Sequence, residues 1–185
     1  MRTNRPGQSA LLLLDAVEVL QRQQVDYAVI GALALSVHGV VRASLDVDAL
    51  LFATPTRVAK LRVAFQTAGF GTALRYGGPD DPIPILLVLS DTHGNQVDLL
   101  GGLRGLDPQL LTRTVQVAFF GENLRFVGRE DFIAMKCFAG GPQDLLDARS
   151  AYHAAESPLD LDLLRAVAHR FGRDALDRLA QVLES

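Results

Sequence analysis

The chain has 185 residues, of which 49% are apolar and 21% charged, with a formal net charge of −3 and a single cysteine. These values exclude a disordered segment, a disulfide-stapled scaffold and a protein that holds nucleic acid mainly through a general basic charge. The length suits one domain, or one domain with a small helical appendage, and is enough to bury a core unaided.

Arg2 and Arg5 precede the apolar run Leu11 to Leu14, as in a secretory leader, but Asp15 and Glu18 interrupt it and no small-residue cleavage site follows. No stretch approaches the ~18 uninterrupted apolar residues of a membrane span. The chain is therefore read as cytoplasmic, with no membrane partner. Ser9 is placed to cap a helix from about Ala10 to Gln23, in which Leu13, Val17 and Leu20 recur at helical spacing. Tyr27 to Ile30 is a β-favouring run ended by Gly31, and Ala32 to His38 reads as a short helix stopped by Gly39. Leu45 to Phe52 is the next strand. Thr54 and Pro55 then open a helix to about Ala68, closed by Gly69. Gly77 to Pro82 is a loop. Ile85 to Leu89 and Gln96 to Leu100 are strands joined by a turn at 90–95, and a second hairpin pairs Val115 to Phe119 with Asn123 to Val127. From Arg129 the pattern turns helical: Glu130 to Ala139, Pro142 to Ala155, Leu159 to Arg170 and Arg173 to Leu183. This order predicts an α/β (α+β) fold, with a mixed sheet flanked by helices over residues 1–128 and a C-terminal helical region over 129–185 packed on it.

The chemistry concentrates in the strand carrying Asp46-Val47-Asp48. Strand side chains alternate, so both carboxylates point to one face, about 6–7 Å apart. Left alone they repel, and one tends to take up a proton. A divalent cation relieves that conflict, and Mg²⁺ favours one or two carboxylates with water and phosphate oxygens. Asp98, between Val97 and Leu99 in a later strand, is the third candidate, because an Asp among β-formers in a central strand is costly unless paired or metal-bound. There is no GxSxG, Walker loop or GxGxxG.

The segment from Gly31 to Asp48 resembles the nucleotidyltransferase superfamily. Gly31-Ala32-Leu33-Ala34, His38-Gly39, Arg42 and Ser44 ahead of Asp46-Val47-Asp48 resemble a group of small prokaryotic nucleotidyltransferases that includes abortive-infection type toxins of toxin–antitoxin systems. A second block, Glu130 to Lys136 and Asp144-Leu145-Leu146-Asp147, is similar to that group's Lys helix and Asp-x-x-Asp helix. The resemblance implies a nucleotidyltransferase fold and an enzyme that uses Mg²⁺ (or Mn²⁺). It would transfer a nucleoside monophosphate from a nucleoside triphosphate to an acceptor hydroxyl on RNA, protein or a small molecule. Asp46, Asp48 and Asp98 would be catalytic and hold metal. Gly31, Ala32, Arg42, Ser44 and Lys136 would contact the nucleotide, Gly31 by letting backbone approach the triphosphate. A cognate antitoxin protein would be a partner. A second reading is a catalytically degenerate domain that binds nucleotide or a protein, since Ala32 stands where the family usually carries Gly or Ser.

Other residues carry less. His38 is read either as a nucleotide contact or base, or as a helix-end residue capping carbonyls before Gly39. Lys136 lies in an apolar helical pattern and either reaches a phosphate or snorkels from a packed helix; Asp144 and Asp147 either pair with it or form a solvated face. Cys137 reads as core packing. Arg104, Arg113, Arg125 and Arg129 form either a basic patch or a set of scattered solvated side chains.

Overall fold

The computed structural model describes residues 1–154 and 157–184. In chain order the elements are α1 (Ser9–Arg22), β1 (Asp26–Ile30), α2 (Gly31–Val37), β2 (Asp46–Phe52), α3 (Pro55–Thr67), β3 (Gly71–Tyr76), β4 (Ile85–Ser90) and β5 (Gln96–Gly101). A short 3-10 helix (Pro108–Arg113) leads to β6 (Val115–Phe119), β7 (Glu122–Phe126), α4 (Arg129–Ala139), α5 (Pro142–His153), α6 (Leu161–Arg170) and α7 (Arg173–Leu183). The expected end of α5 at Ala155 lies outside the described residues.

The strands form one mixed sheet in the order β3-β4-β5-β2-β1-β7-β6. β2 runs parallel to β5, and β1 parallel to β7; the other neighbours are antiparallel. Alternation sorts the two faces. Leu87 and Leu89 of β4 and Val97 and Leu99 of β5 are fully buried, on the side where α1 and α3 pack. Each such side chain contributes roughly 1.5–3 kcal/mol of burial. On the other face Leu86, Val88, Asp98 and Leu100 remain partly exposed, so the outer half of the sheet is left accessible there. The helices α5, α6 and α7 gather around α4. One apolar core runs without a break from α1 through the sheet to these helices.

Two elements lie where the sequence carries no clear signal, and one expectation, the Ser9 cap, is corrected. Gly71–Tyr76 is an edge strand, although its sequence shows no alternation to announce it. Residues 108–113 form a 3-10 helix opened by Asp107, whose side chain accepts from Gln109 N. Ser9 does not cap α1: the N-cap is Gln8, and the Ser9 hydroxyl donates to Leu45 O (2.6 Å) and accepts from Gln96 N (3.2 Å). Ser9 thereby ties the helix to the starts of both β2 and β5. Thr54 does cap α3, accepting from Arg57 N.

The four arginines converge on no common patch. Arg125 pairs with Asp26, Arg129 donates to Ser157 O, and Arg113 is a structural anchor. Its Nε and Nη2 donate to the two oxygens of Asp131 at 2.7 Å each, and Nη2 also reaches Asp107 at 2.9 Å. Asp131 is only 1% exposed, so this fork fastens the 3-10 helix to the start of α4 with a buried, bidentate pair. Arg113→Leu strands the buried carboxylate and should lower unfolding free energy by about 3–5 kcal/mol. Urea denaturation should show most of that loss recovered in Arg113→Leu/Asp131→Leu, and a double variant as unstable as the single one would contradict the pairing.

Candidate active site

β2 leaves the loop after α2 and carries Asp46 and Asp48 on the accessible face, with Val47 buried behind them. The parallel register sets Asp48 directly against Asp98 of β5, and Asp46 against Gln96. Gln96 Nε2 donates to Asp98 Oδ1 at 2.8 Å and orients it. That neighbour was not singled out from sequence, although it precedes Asp98 by two residues and so shares its face.

β1 lies on the opposite flank of β2, with Ile30 paired to Asp48. The chain then enters α2 at Gly31, whose φ is +67°. A side chain at this position would be strained, and its Cβ would run into Asp48 Oδ2. Gly31 is thus required for two reasons: the backbone turn and the space the carboxylate occupies. Ala32, next in α2, is buried. Ser44 is exposed and donates to Asp46 O at 3.0 Å, bracing the start of β2.

The helical region closes the site from the other side. Lys136 of α4 lines the same cavity as Gly31 and Asp48. Its Nζ lies 2.8 Å from Asp144 Oδ1 and 2.9 Å from Asp147 Oδ2, both on α5. Arg42, from the loop before β2, pairs with the other oxygen of Asp147 at 3.2 Å, and Gln143 Nε2 donates to it at 2.8 Å. Asp147 is 2% exposed and therefore joins both cations in one network. Burial pulls the Lys136 pKa down, but the hydrogen bonds and charges of Asp144 and Asp147 outweigh it and hold the ammonium above its ordinary value. The His38 side chain bonds to a distant carbonyl rather than to those of its own helix end. Its Nε2 lies 2.9 Å from Val127 O and its ring packs near Phe132, so it joins the end of α2 to the start of the helical region. Burial lowers its pKa. Cys137 is fully buried.

Burial, and then the charge of Asp98, push the Asp48 pKa up to about 6 from an ordinary 3.8. Burial also raises Asp98, against the hydrogen bond from Gln96. Among the described residues no three His, Cys, Asp or Glu side chains converge as a ready-made metal cage. The donor set nevertheless suits a hard cation: carboxylate oxygens on adjacent strands, one of them paying an electrostatic penalty a cation would remove. Mg²⁺ uses one or two carboxylates and completes its shell with water and phosphate oxygens.

A model of the family described as "Nucleotidyltransferase of unknown function (DUF6036)" matches residues 10–181. The chain belongs to this family. It is a nucleotidyltransferase, and its fold recurs in solved structures at low identity. An antigenic nucleotidyltransferase-like protein from Paracoccidioides brasiliensis aligns at 16% identity, TM-score 0.56, over 98% of this chain and 95% of that one. The antibiotic-resistance factor ANT(2″)-Ia aligns at 14% identity, TM-score 0.59, over 96% and 95%. The lincosamide antibiotic adenylyltransferase LnuA, in its lincomycin-bound form, aligns at 11% identity, TM-score 0.51, over 83% and 100%. No curated protein matches in sequence. Among the described residues no helix is long and apolar enough to cross a membrane.

Because the Asp48 pKa lies above its unfolded value, its charge costs nothing below about pH 4, and the penalty grows as pH rises through 6. In metal-free buffer, Asp48→Asn should stabilise the nucleotidyltransferase at pH 7.5 by about 2–3 kcal/mol. At pH 4 the gain should vanish. Thermal unfolding at the two pH values checks this, and a variant less stable than wild type at pH 7.5 would contradict it.

Proposed function

We propose that the chain is a metal-dependent enzyme that transfers a nucleoside monophosphate from a nucleoside triphosphate to an acceptor hydroxyl. The observation carrying this reading is the register that sets Asp48 beside Asp98, with Gly31 backed against the same carboxylate. Asp46 and Asp48 hold the divalent cations, with Asp98 completing the set. When bound, such ions would supply positive charge to the transferring phosphoryl group. The amides at Gly31 and Ala32, opening α2, face the triphosphate, and the glycine lets them approach. Lys136 adds a fixed positive charge at the cavity wall, held in place by Asp144 and Asp147. Arg42 and Ser44 shape the loop before β2 and stand as the outer nucleotide contacts. The acceptor oxygen forms a bond to the α-phosphorus, its proton passes to Asp98, and the bond to pyrophosphate breaks.

Magnesium and manganese are the ions in question, and the acceptor is RNA, a protein side chain or a small molecule. ANT(2″)-Ia, seen with adenylyl-2″-tobramycin, and lincomycin-bound LnuA support a small molecule. The abortive-infection resemblance adds a role as a toxin held by a cognate antitoxin. Co-purification with the product of a neighbouring reading frame, and neutralisation by it, would support that role. The degenerate reading, in which the domain only binds nucleotide or a protein, rests on Ala32.

Calorimetry with Mg²⁺ or Mn²⁺ and each nucleoside triphosphate decides between transfer and degeneracy. Wild type should bind at least one triphosphate in a metal-dependent way, and Asp46→Asn/Asp48→Asn should weaken it by about 100-fold or more. Gly31→Ala should impair binding as well, by displacing Asp48. No metal-dependent binding by wild type would overturn the proposal.

A further inference from the structure

Beyond Asp48, Gly31 and Lys136, the site runs into an apolar slot of about 210 Å³ between β5 and α4. Leu100, Ile83, Leu103, Phe132, Met135 and Phe138 are among the apolar side chains of its wall. A second cleft of about 420 Å³ adjoins it, with Pro82, Phe138 and Ala139 lining both. This outer cleft has a different character. It is bordered by Arg104 and Arg170, with Asp80 on the same rim and Phe138 stacked on Phe171 at a centroid distance of 4.8 Å.

Among the described residues the ion pairs within 4.0 Å involve neither Arg104 nor Arg170. Asp107, the acid that feels Arg170, is itself 2.9 Å from Arg113, and Arg170 otherwise reaches only Leu106 O at 3.4 Å. Their backbones, in contrast, are fixed. Gly105 has a φ of +77°, and a Cβ there would lie 2.7 Å from Arg170 O and 2.8 Å from the Phe171 ring. Arg104 N donates to Pro82 O at 3.1 Å. The loop carrying Arg104 is therefore pressed against the end of α6 and tied to the loop over the slot. This backbone contact sets Arg104 and Arg170 on the border of one cleft, beside the apolar slot that Asp48 also lines. Guanidinium groups bordering one cleft can bind carboxylate or phosphate groups.

We infer that the slot and its arginine rim form the acceptor subsite, taking a small, flat, largely apolar molecule with a hydroxyl at one end and an anionic group at the other. The inference rests on the nucleotidyl-transfer reading for the direction of the hydroxyl. The ring system fills the apolar slot, the hydroxyl lies toward Asp48 and Asp98, and the anionic group meets Arg104 and Arg170. A polycationic acceptor is disfavoured by the same rim, and a folded RNA by the width of the slot.

The fluorescent acid 6-hydroxy-2-naphthoate is a suitable probe, because the protein has no tryptophan to compete optically. Fluorescence titration without metal or nucleotide should show it binding about tenfold more tightly than neutral 2-naphthol. Arg104→Gln/Arg170→Gln should equalise the two compounds, and Ala139→Leu, which narrows the passage, should weaken both. Thermal unfolding verifies that each variant is folded. A non-hydrolysable ATP analogue with Mg²⁺ should bind alongside the naphthoate. Equal affinity for acid and alcohol in wild type, indifference to the arginine substitutions, or displacement of the naphthoate by the analogue would each overturn the proposal. The last outcome would make the slot part of the nucleotide site. Failure of the transfer reading would appear separately, as absence of metal-dependent analogue binding.

Discussion

The whole site depends on an unfavourable contact: two carboxylates held side by side on adjacent parallel strands. The register of β2 on β5 fixes this pairing, and register is difficult to alter when the opposite face is buried. A slip of one residue would turn Val97 and Leu99 out of the core and Asp98 into it, against a burial term of several kcal/mol. The apolar face thus enforces the acidic one. Ser9 adds to the constraint by joining α1 to the starts of both strands, so the helix beneath the sheet and the carboxylates above it share one frame.

The second organising feature is Asp147. A buried carboxylate alone would be unstable as an ion, and here it is matched by Lys136, Arg42 and Gln143. The result reaches across three separate pieces of chain: the loop before β2, α4 and α5. Lys136 is presented to the cavity as a charged, oriented group because both its carboxylate partners come from the next helix. An unpaired lysine at this burial would tend to lose its proton or turn outward to water. The two acidic residues of α5 hence shape the site without belonging to the carboxylate pair on the sheet.

Much of this was legible in the order of residues, and the reason is periodicity. Asp46-Val47-Asp48 and Val97-Asp98-Leu99 alternate acid with apolar residue, so the strand, its buried face and the common direction of the acids follow from one rule. Gly31 and the block from Glu130 to Asp147 were legible by resemblance, and the Lys136 pairing by helix spacing. What escaped the sequence is what depends on contacts between distant segments. β3 is an edge strand with both faces largely exposed, so its composition does not alternate. Ser9 and His38 stand where caps are common but bond to residues far along the chain, Leu45 and Val127. The arginines clustered in sequence disperse, since Arg113 is drawn inward by Asp131. The pair at the outer cleft, Arg104 and Arg170, joins residues far apart in the chain and has no local signal.

Stability and chemistry are therefore divided between the two ends of the same elements. Where β5 leaves Asp98 it continues into Leu100 and the turn at Gly102, and the following loop is clamped to α6 through Gly105. α4 begins at the Arg113–Asp131 anchor, presents Lys136 near its end, and stops at Gly140, whose left-handed conformation leaves room for Arg178 of α7. The rigid contacts lie toward the ends, and Asp98 and Lys136 lie between them. Such a placement allows charges to be held where water alone would not hold them, because the cost is spread over a core that the chain must form in any case.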